Sequence, residues 1–196
     1  MIGYNEAHHL ARCLDSIASQ DYGPKEIIYV DSSSADSSVS IAERFVDKIY
    51  VVDCRGAPYA RNFGVSKASY DLLVVVDGNS TLSAGSAAEV VRAHSEGYDL
   101  GRFAWGSFEP GLKNRVADFL LGLPSYRGWQ AFSVTKPIVV ANPFFELKGS
   151  HNDVGAWAFS LGPGVSVKRL HSVNYSFKES FKRKGYSRSV ADWLLR

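Results

Sequence analysis

Asp77-Gly78-Asn79 sets a carboxylate and an amide oxygen two residues apart around a glycine. Oxygen donors so spaced can be aimed at one hard cation, Mg2+ or Mn2+. The glycine between them leaves room for a phosphate to approach the backbone. The same triplet also suits a plain polar turn, so its meaning depends on what precedes it. That is Leu72-Leu-Val-Val-Val76, a short, uncharged run rich in β-branched residues. It predicts a strand buried on both faces of a parallel sheet, one that delivers Asp77 to the carboxyl edge where open α/β sheets bind ligands.

Other acids stand in the same relation to apolar runs. Asp31 follows a predicted strand at 26–30, and Asp53 follows one at 48–52. Met1-Ile2-Gly3 reads as the last part of a first strand, which makes that strand truncated. Between these runs lie helical patterns: 7–20, with Leu10, Leu14 and Ile17 on one face; 37–45, with Asp36 as N-cap; and a short helix from Tyr59 to about Ala68. Strand–helix alternation at this spacing predicts an α/β fold, a doubly wound, mostly parallel sheet flanked by helices. An Ala-rich helix at 83–95 follows. The second half is less regular. It suggests an extended stretch at 98–108, a helix at 112–121 and a strand at 134–141 with Pro137 at an edge or bulge. Helical turns at 153–159, a last strand at 165–170 ending on His171 and a mostly helical tail from Phe177 complete the reading.

The 196 residues suit one domain, 1–196, with 1–100 as one half and 101–196 as the other. At 45% hydrophobic and 21% charged the composition is globular. No apolar window reaches the ~20 residues of a membrane span, and no secretory pattern is visible, so a cytoplasmic location is expected. Cys13 and Cys54 make neither a disulfide framework nor a zinc site and read as reduced thiols. Residues 168–188 hold seven Lys or Arg against one Glu, interleaved with Tyr175, Phe177, Phe181 and Tyr186. That stretch fits a solvated helix face, or contact with phosphate groups or the surface of an anionic membrane. No nucleic-acid partner is expected. The phosphate loop G-x-x-x-x-G-K-[ST], the dinucleotide G-x-G-x-x-G, G-x-S-x-G and H-E-x-x-H are all missing. What remains is a row of strand-end acids with Arg61 beside them, a cradle suited to a metal-bound diphosphate.

Four segments in order carry a resemblance: Ile2-Gly-Tyr-Asn-Glu6, Asp31 with Ala35-Asp36, Gly56 with Ala60-Arg61-Asn62, and Asp77-Gly78-Asn79. They resemble the signatures of family 2 glycosyltransferases of GT-A fold, densely over the first 82 residues and again, weakly, at Gly149, Asn152-Asp153 and His171. The resemblance implies a hexosyltransferase-type enzyme using a nucleotide-diphosphate sugar, with 1–100 as the nucleotide-sugar half and 101–196 as the acceptor half. Tyr4 and Glu6 would flank base and ribose, Asp31 would accept a hydrogen bond from the base, and Arg61 and Gly78 would face the diphosphate. Asp77 and Asn79 would hold Mn2+ or Mg2+, with His171 as a further ligand. Asp153 would be the general base of an inverting displacement, with His151 in reserve. The acceptor would be a glycan, a lipid phosphate or a protein, with peripheral membrane contact through the basic tail.

The chain departs from that pattern in three ways. Asn79 and Asn152 replace acids, the first strand is nearly absent, and no acceptor-binding insert is recognisable. A non-catalytic nucleotide-sugar or glycan binder with a degenerate metal site is therefore the alternative. A sugar nucleotidyltransferase, which usually needs a Gly- and Arg-rich N-terminal loop, ranks behind it.

Overall fold

Leu72–Val76 forms β4, and its alternation decides which side of the sheet each neighbour serves. Val75 enters a cluster with Phe132, Val134 and Trp157, while Val76 enters another with Leu82, Val90 and Phe103. Adjacent residues on one strand thus feed cores on opposite faces, as a doubly covered sheet requires. The structure is a computed structural model that describes residues 1–53, 56–107, 129, 131–145 and 154–176.

In chain order the elements are β1 (Ile2–Gly3), α1 (Ala7–Ala18), β2 (Ile28–Asp31), α2 (Ser38–Ala42), β3 (Lys48–Val51), α3 (Ala57–Lys67) and β4. After β4 come β5 (Ser80–Leu82), α4 (Ser86–Ser95), β6 (Leu100–Ser107), β7 (Ala131–Thr135), α5 (Lys136–Ala141), α6 (Val154–Ser160) and β8 (Val167–Ser176). β1, β2 and β3 pair in parallel, and the remaining strands form a mixed sheet in the order β4-β7-β6-β8-β5. A parallel bridge between Ile2 and Asp77 joins the two. β1 is therefore flanked by β2 on one side and by the end of β4 on the other.

The helices follow from their apolar positions. α1 buries Leu10, Cys13 and Leu14 against Ile27, Tyr29 and Ala42. α3 buries Ala60 against Ile2, Val30 and Val52. Burial pushes the Cys13 thiol up to about 12, which makes it an inert core group.

Three details differ from the sequence reading. Pro137 does not mark a strand edge: the strand stops at Thr135, and Pro137 sits in the first turn of α5, where its missing N–H has no intrahelical partner to lose. Ser80–Leu82 is a strand, so α4 begins at Ser86 rather than 83. β5 owes its conformation to its antiparallel pairing with Asn174–Ser176 of β8, a tertiary effect that overrides weak local propensity. β8 does not end at His171 but runs on to Ser176. The predicted helix at 112–121, the tail from Phe177, Cys54, His151, Asn152 and Asp153 lie outside the described residues.

Candidate functional site

Register alone brings three sequence-predicted segments to one edge. Gly3 pairs with Asp31, and Ile2 pairs with both Val30 and Asp77. The turn after β1, with Tyr4, Asn5 and Glu6, thus emerges between the ends of β2 and β4.

At the end of β4, the Asp77 carboxylate meets the Arg61 guanidinium, Oδ1 to Nη2 at 2.5 Å. Arg61 is nearly fully buried, its side chain 1% exposed, whereas the Asp77 side chain is 20% exposed. α3 sets Arg61 beneath the sheet edge, with its guanidinium 5.9 Å from the Phe144 ring. Arg61 does not stand open towards solvent as a free phosphate fork. It is paired with Asp77, the more exposed member of the two. Gly78 donates its N–H to Ile2 at 2.7 Å. A Cβ there would sit 3.0 Å from the Ile2 carbonyl oxygen and 3.0 Å from Cγ of Glu6. The close approach of β1 favours a glycine here, a packing reason that stands beside the open phosphate path the sequence suggests.

The end of β2 is built differently. Asp31 is fully buried and accepts hydrogen bonds from Ser34 N at 2.6 Å, Ser34 Oγ at 2.7 Å and the Tyr29 hydroxyl at 3.1 Å. Burial first, and Asp31 beside it, push the Tyr29 hydroxyl well above its ordinary range, so it stays a proton donor. The Asp31 oxygens thus point into the protein's own Ser-rich loop rather than outward to a base. That loop is tied to the β1 turn in turn. Asn5, at φ 54°, receives Ala35 N–H on its Oδ1 at 2.8 Å and donates its own N–H to Ser34 Oγ at 2.8 Å. Glu6 N donates to Ser38 Oγ at 2.9 Å, and Asp36 accepts from Ala7 N at 3.1 Å and Ser38 N at 2.9 Å. Tyr4 and Glu6 are half-buried beside this network.

Two oxygen donors, Asp77 and Asn79, stand at the β4 edge, and Asn79 Oδ1 accepts from Ser80 Oγ at 3.3 Å. Among the described residues no group of three His, Cys, Asp or Glu is arranged to hold an ion. A single carboxylate with one amide oxygen fits an ion that arrives on phosphates and keeps several waters, as Mg2+ does. His171 does not join this pair. It lies mid-strand, its side chain 93% exposed, 3.0 Å from Glu89 of α4. Burial works to raise the Glu89 pKa, but hydrogen bonds from Ser172 and His171 outweigh it and hold the carboxyl at about 2. Lys168, the first cation of the basic stretch, pairs with Glu96 at 3.0 Å and lies 4.7 Å from the Tyr98 ring centre.

Asn62 had no assigned role in the sequence, yet it ties α3 to the segment that follows α5. Its Nδ2 donates to Phe144 O at 3.0 Å and its Oδ1 accepts from Phe144 N at 2.9 Å. Phe144 packs 4.4 Å from Trp157, whose Nε1 donates to Asn142 O at 2.7 Å. Val154, the residue after Asp153, is buried in the same cluster. Only the position of Asn62 beside Arg61 hinted at this, since its partner is 82 residues away.

A family model described as "Glycosyl transferase family 2" matches residues 1–142. The chain belongs to that family. Among glycosyltransferase relatives, Glycosyltransferase AglE of Haloferax volcanii is 34% identical over 85 residues, which cover 39% of this chain and 28% of that one. The chain thus spans under a third of the length of such a curated relative. Two solved structures share its fold. S. aureus TarS 1-349, in complex with UDP-GlcNAc, aligns with TM-score 0.69 at 16% identity over 90% of this chain and 57% of TarS. The mannosyltransferase PcManGT from Pyrobaculum calidifontis, in complex with GDP-Man and Mn2+, aligns with TM-score 0.68 at 18% identity over 89% and 55%. The family 2 chain accordingly has a GT-A-type fold, a parallel sheet joined to a mixed one and flanked by helices. No helix among its described residues is long and apolar enough to cross a membrane.

Proposed function

We propose that this family 2 domain transfers a sugar from a nucleotide-diphosphate sugar to an acceptor hydroxyl, with inversion at the anomeric carbon. The observation that carries the proposal is the β4 edge. A partly exposed Asp77, backed by the buried Arg61, stands next to the β1 turn, in a fold shared with solved structures that hold UDP-GlcNAc or GDP-Man and Mn2+.

In this reading the β1 turn, with Tyr4 and Glu6, receives the base and ribose. Asp31 acts through the loop it fixes, since its oxygens are already occupied by Ser34 and Tyr29. Asp77 and Asn79 would hold Mn2+ or Mg2+ on the diphosphate. That ion supplies Lewis-acid stabilisation of the departing nucleoside diphosphate. Arg61 orients the Asp77 carboxylate and adds a permanent positive charge close behind it. Asp153 takes the proton of the acceptor hydroxyl as its oxygen bonds to the anomeric carbon and the carbon–oxygen bond to the diphosphate breaks. The acceptor is a glycan, a lipid phosphate or a protein, and the basic stretch from Lys168 onward suits an anionic surface.

The neutral Asn79 and the use of Arg61 by Asp77 favour one second reading, a nucleotide-sugar binder without turnover. A thermal-shift titration with UDP, GDP and their sugars, each with Mn2+, Mg2+ or EDTA, tests both. A ligand that binds only the folded chain raises its melting temperature. A metal-dependent shift with one nucleotide, together with slow release of that nucleotide from its sugar, supports the transferase. A shift without any release supports the binder. No shift with any nucleotide contradicts both.

A further inference from the structure

α3 holds the second half of the chain at two levels. β7 carries the chain away from the β4 edge, from Ala131 opposite Val76 to Thr135 opposite Leu72. At that far end Lys136 Nζ donates to Ala68 O, just past α3, at 2.7 Å. The six residues of α5 then bring the chain back by about 9 Å. Asn62 precedes Ala68 by the same six residues, about 9 Å along α3. It meets the returning chain at Phe144, whose ring lies 5.9 Å from the Arg61 guanidinium.

The chemistry of this contact requires an amide. Asn62 donates to Phe144 O at 3.0 Å and accepts from Phe144 N at 2.9 Å, which engages both polar groups of one residue. Aspartate has the same shape but, when ionised, only accepts, so it would set a charge against the Phe144 carbonyl. The Phe144 ring passes the position on. It is buried, 4.4 Å from Trp157 of α6, and Val154, the first residue of α6, enters the same cluster. The donor side has ties of its own, Ile2 with Asp77 and Gly3 with Asp31, which do not pass through Asn62.

We propose that Asn62 is a positioning residue for sugar transfer: it holds the Phe144 peptide, and through Phe144 and Trp157 the start of α6, in register with the Asp77–Arg61 pair. The inference rests on the transferase reading, in which Asp153, the residue before α6, is the base. Asn62 touches neither substrate nor base. Its loss should therefore slow the transfer step and leave donor binding in place, since misplacement of a reacting group by about 1 Å costs rate steeply.

The test measures release of nucleotide from UDP-GlcNAc and from GDP-Man with Mn2+, alongside melting temperature. It compares the unaltered chain with Asn62→Asp, Asn62→Gln and Val134→Ala. The last opens the buried core away from the clasp and serves as a control for lost stability. On the sugar that the unaltered chain turns over, Asn62→Asp should lower kcat about tenfold or more, with KM within about twofold. Asn62→Gln keeps both groups on a longer stem and should lose only about threefold, so it carries the test if the Asp variant does not fold. Val134→Ala should melt lower while keeping its kcat. Unchanged kcat in the folded Asn62 variants, or an equal loss in Val134→Ala, would overturn this inference and leave the transferase reading standing. Release from neither sugar by the unaltered chain would overturn both.

Discussion

The ends of β2 and β4 read alike in the sequence, yet the fold uses them in opposite ways. Both are apolar strands that terminate on aspartate at the same sheet edge. Asp31 is followed by serines, and Ser34 returns two donors to it, so the carboxylate becomes the internal anchor of a loop. Asp77 is followed by Gly78 and Asn79, which supply no such donors. Its oxygen is met instead by Arg61 from below, and it remains 20% exposed. A strand-end acid is thus made structural or available by the donors its own loop can return. Charge alone does not distinguish the two.

The largest effect should come from removing the outer member of the buried pair. Asp77→Ala takes the salt-bridge carboxylate away from the buried Arg61 and should cost about 3 kcal/mol in urea unfolding. Arg61→Met should cost clearly less, because the remaining Asp77 can be hydrated. Equal losses from the two would break the asymmetry described here.

Next comes acid sensitivity. The Glu89 carboxyl lies near 2 when folded, below its ordinary 4.5, so its contribution is fully present above the ordinary value and is lost as pH falls towards 2. On the order of 2 kcal/mol should disappear between pH 5 and 2, and Glu89→Gln should flatten that dependence in urea midpoints. His171→Ala should weaken the same pair without altering any metal requirement at Asp77.

Smaller still is Gly78→Ala. The new Cβ must displace Glu6 or the β1 backbone, costing about 1–2 kcal/mol by thermal unfolding. Ser34→Ala removes one neutral donor from Asp31, the Ser34 hydroxyl, keeps the backbone N–H, and should cost about 1 kcal/mol. It sharpens the comparison because it perturbs β2's end while leaving the β4 edge intact.

The strand at 72–76 and its acid were legible because a buried parallel strand is a continuous apolar run with an abrupt polar stop. The resemblance of the first 82 residues rested on local signatures of this kind. Other features had no such signal. β5 is a strand only because β8 offers it an edge, and the Asn62–Phe144 clasp joins residues 82 apart. His171 looked like a strand end because polar residues follow it, but those residues continue β8 against β5 and β6. Pro137 carried a readable cue, proline in a first helical turn, that was outweighed by the β-branched residues beside it.

The account rests most directly on the β4 edge being the diphosphate site and the β2 edge its scaffold. Calorimetric titration of UDP and GDP, with Mn2+ or EDTA, into the unaltered chain, Asp77→Asn and Ser34→Ala decides it. One nucleotide should bind the unaltered chain and Ser34→Ala at least tenfold more tightly with Mn2+ than with EDTA. Asp77→Asn should lose that difference, about 1.4 kcal/mol or more, while remaining folded. Unchanged Mn2+-dependent binding to Asp77→Asn would contradict the account.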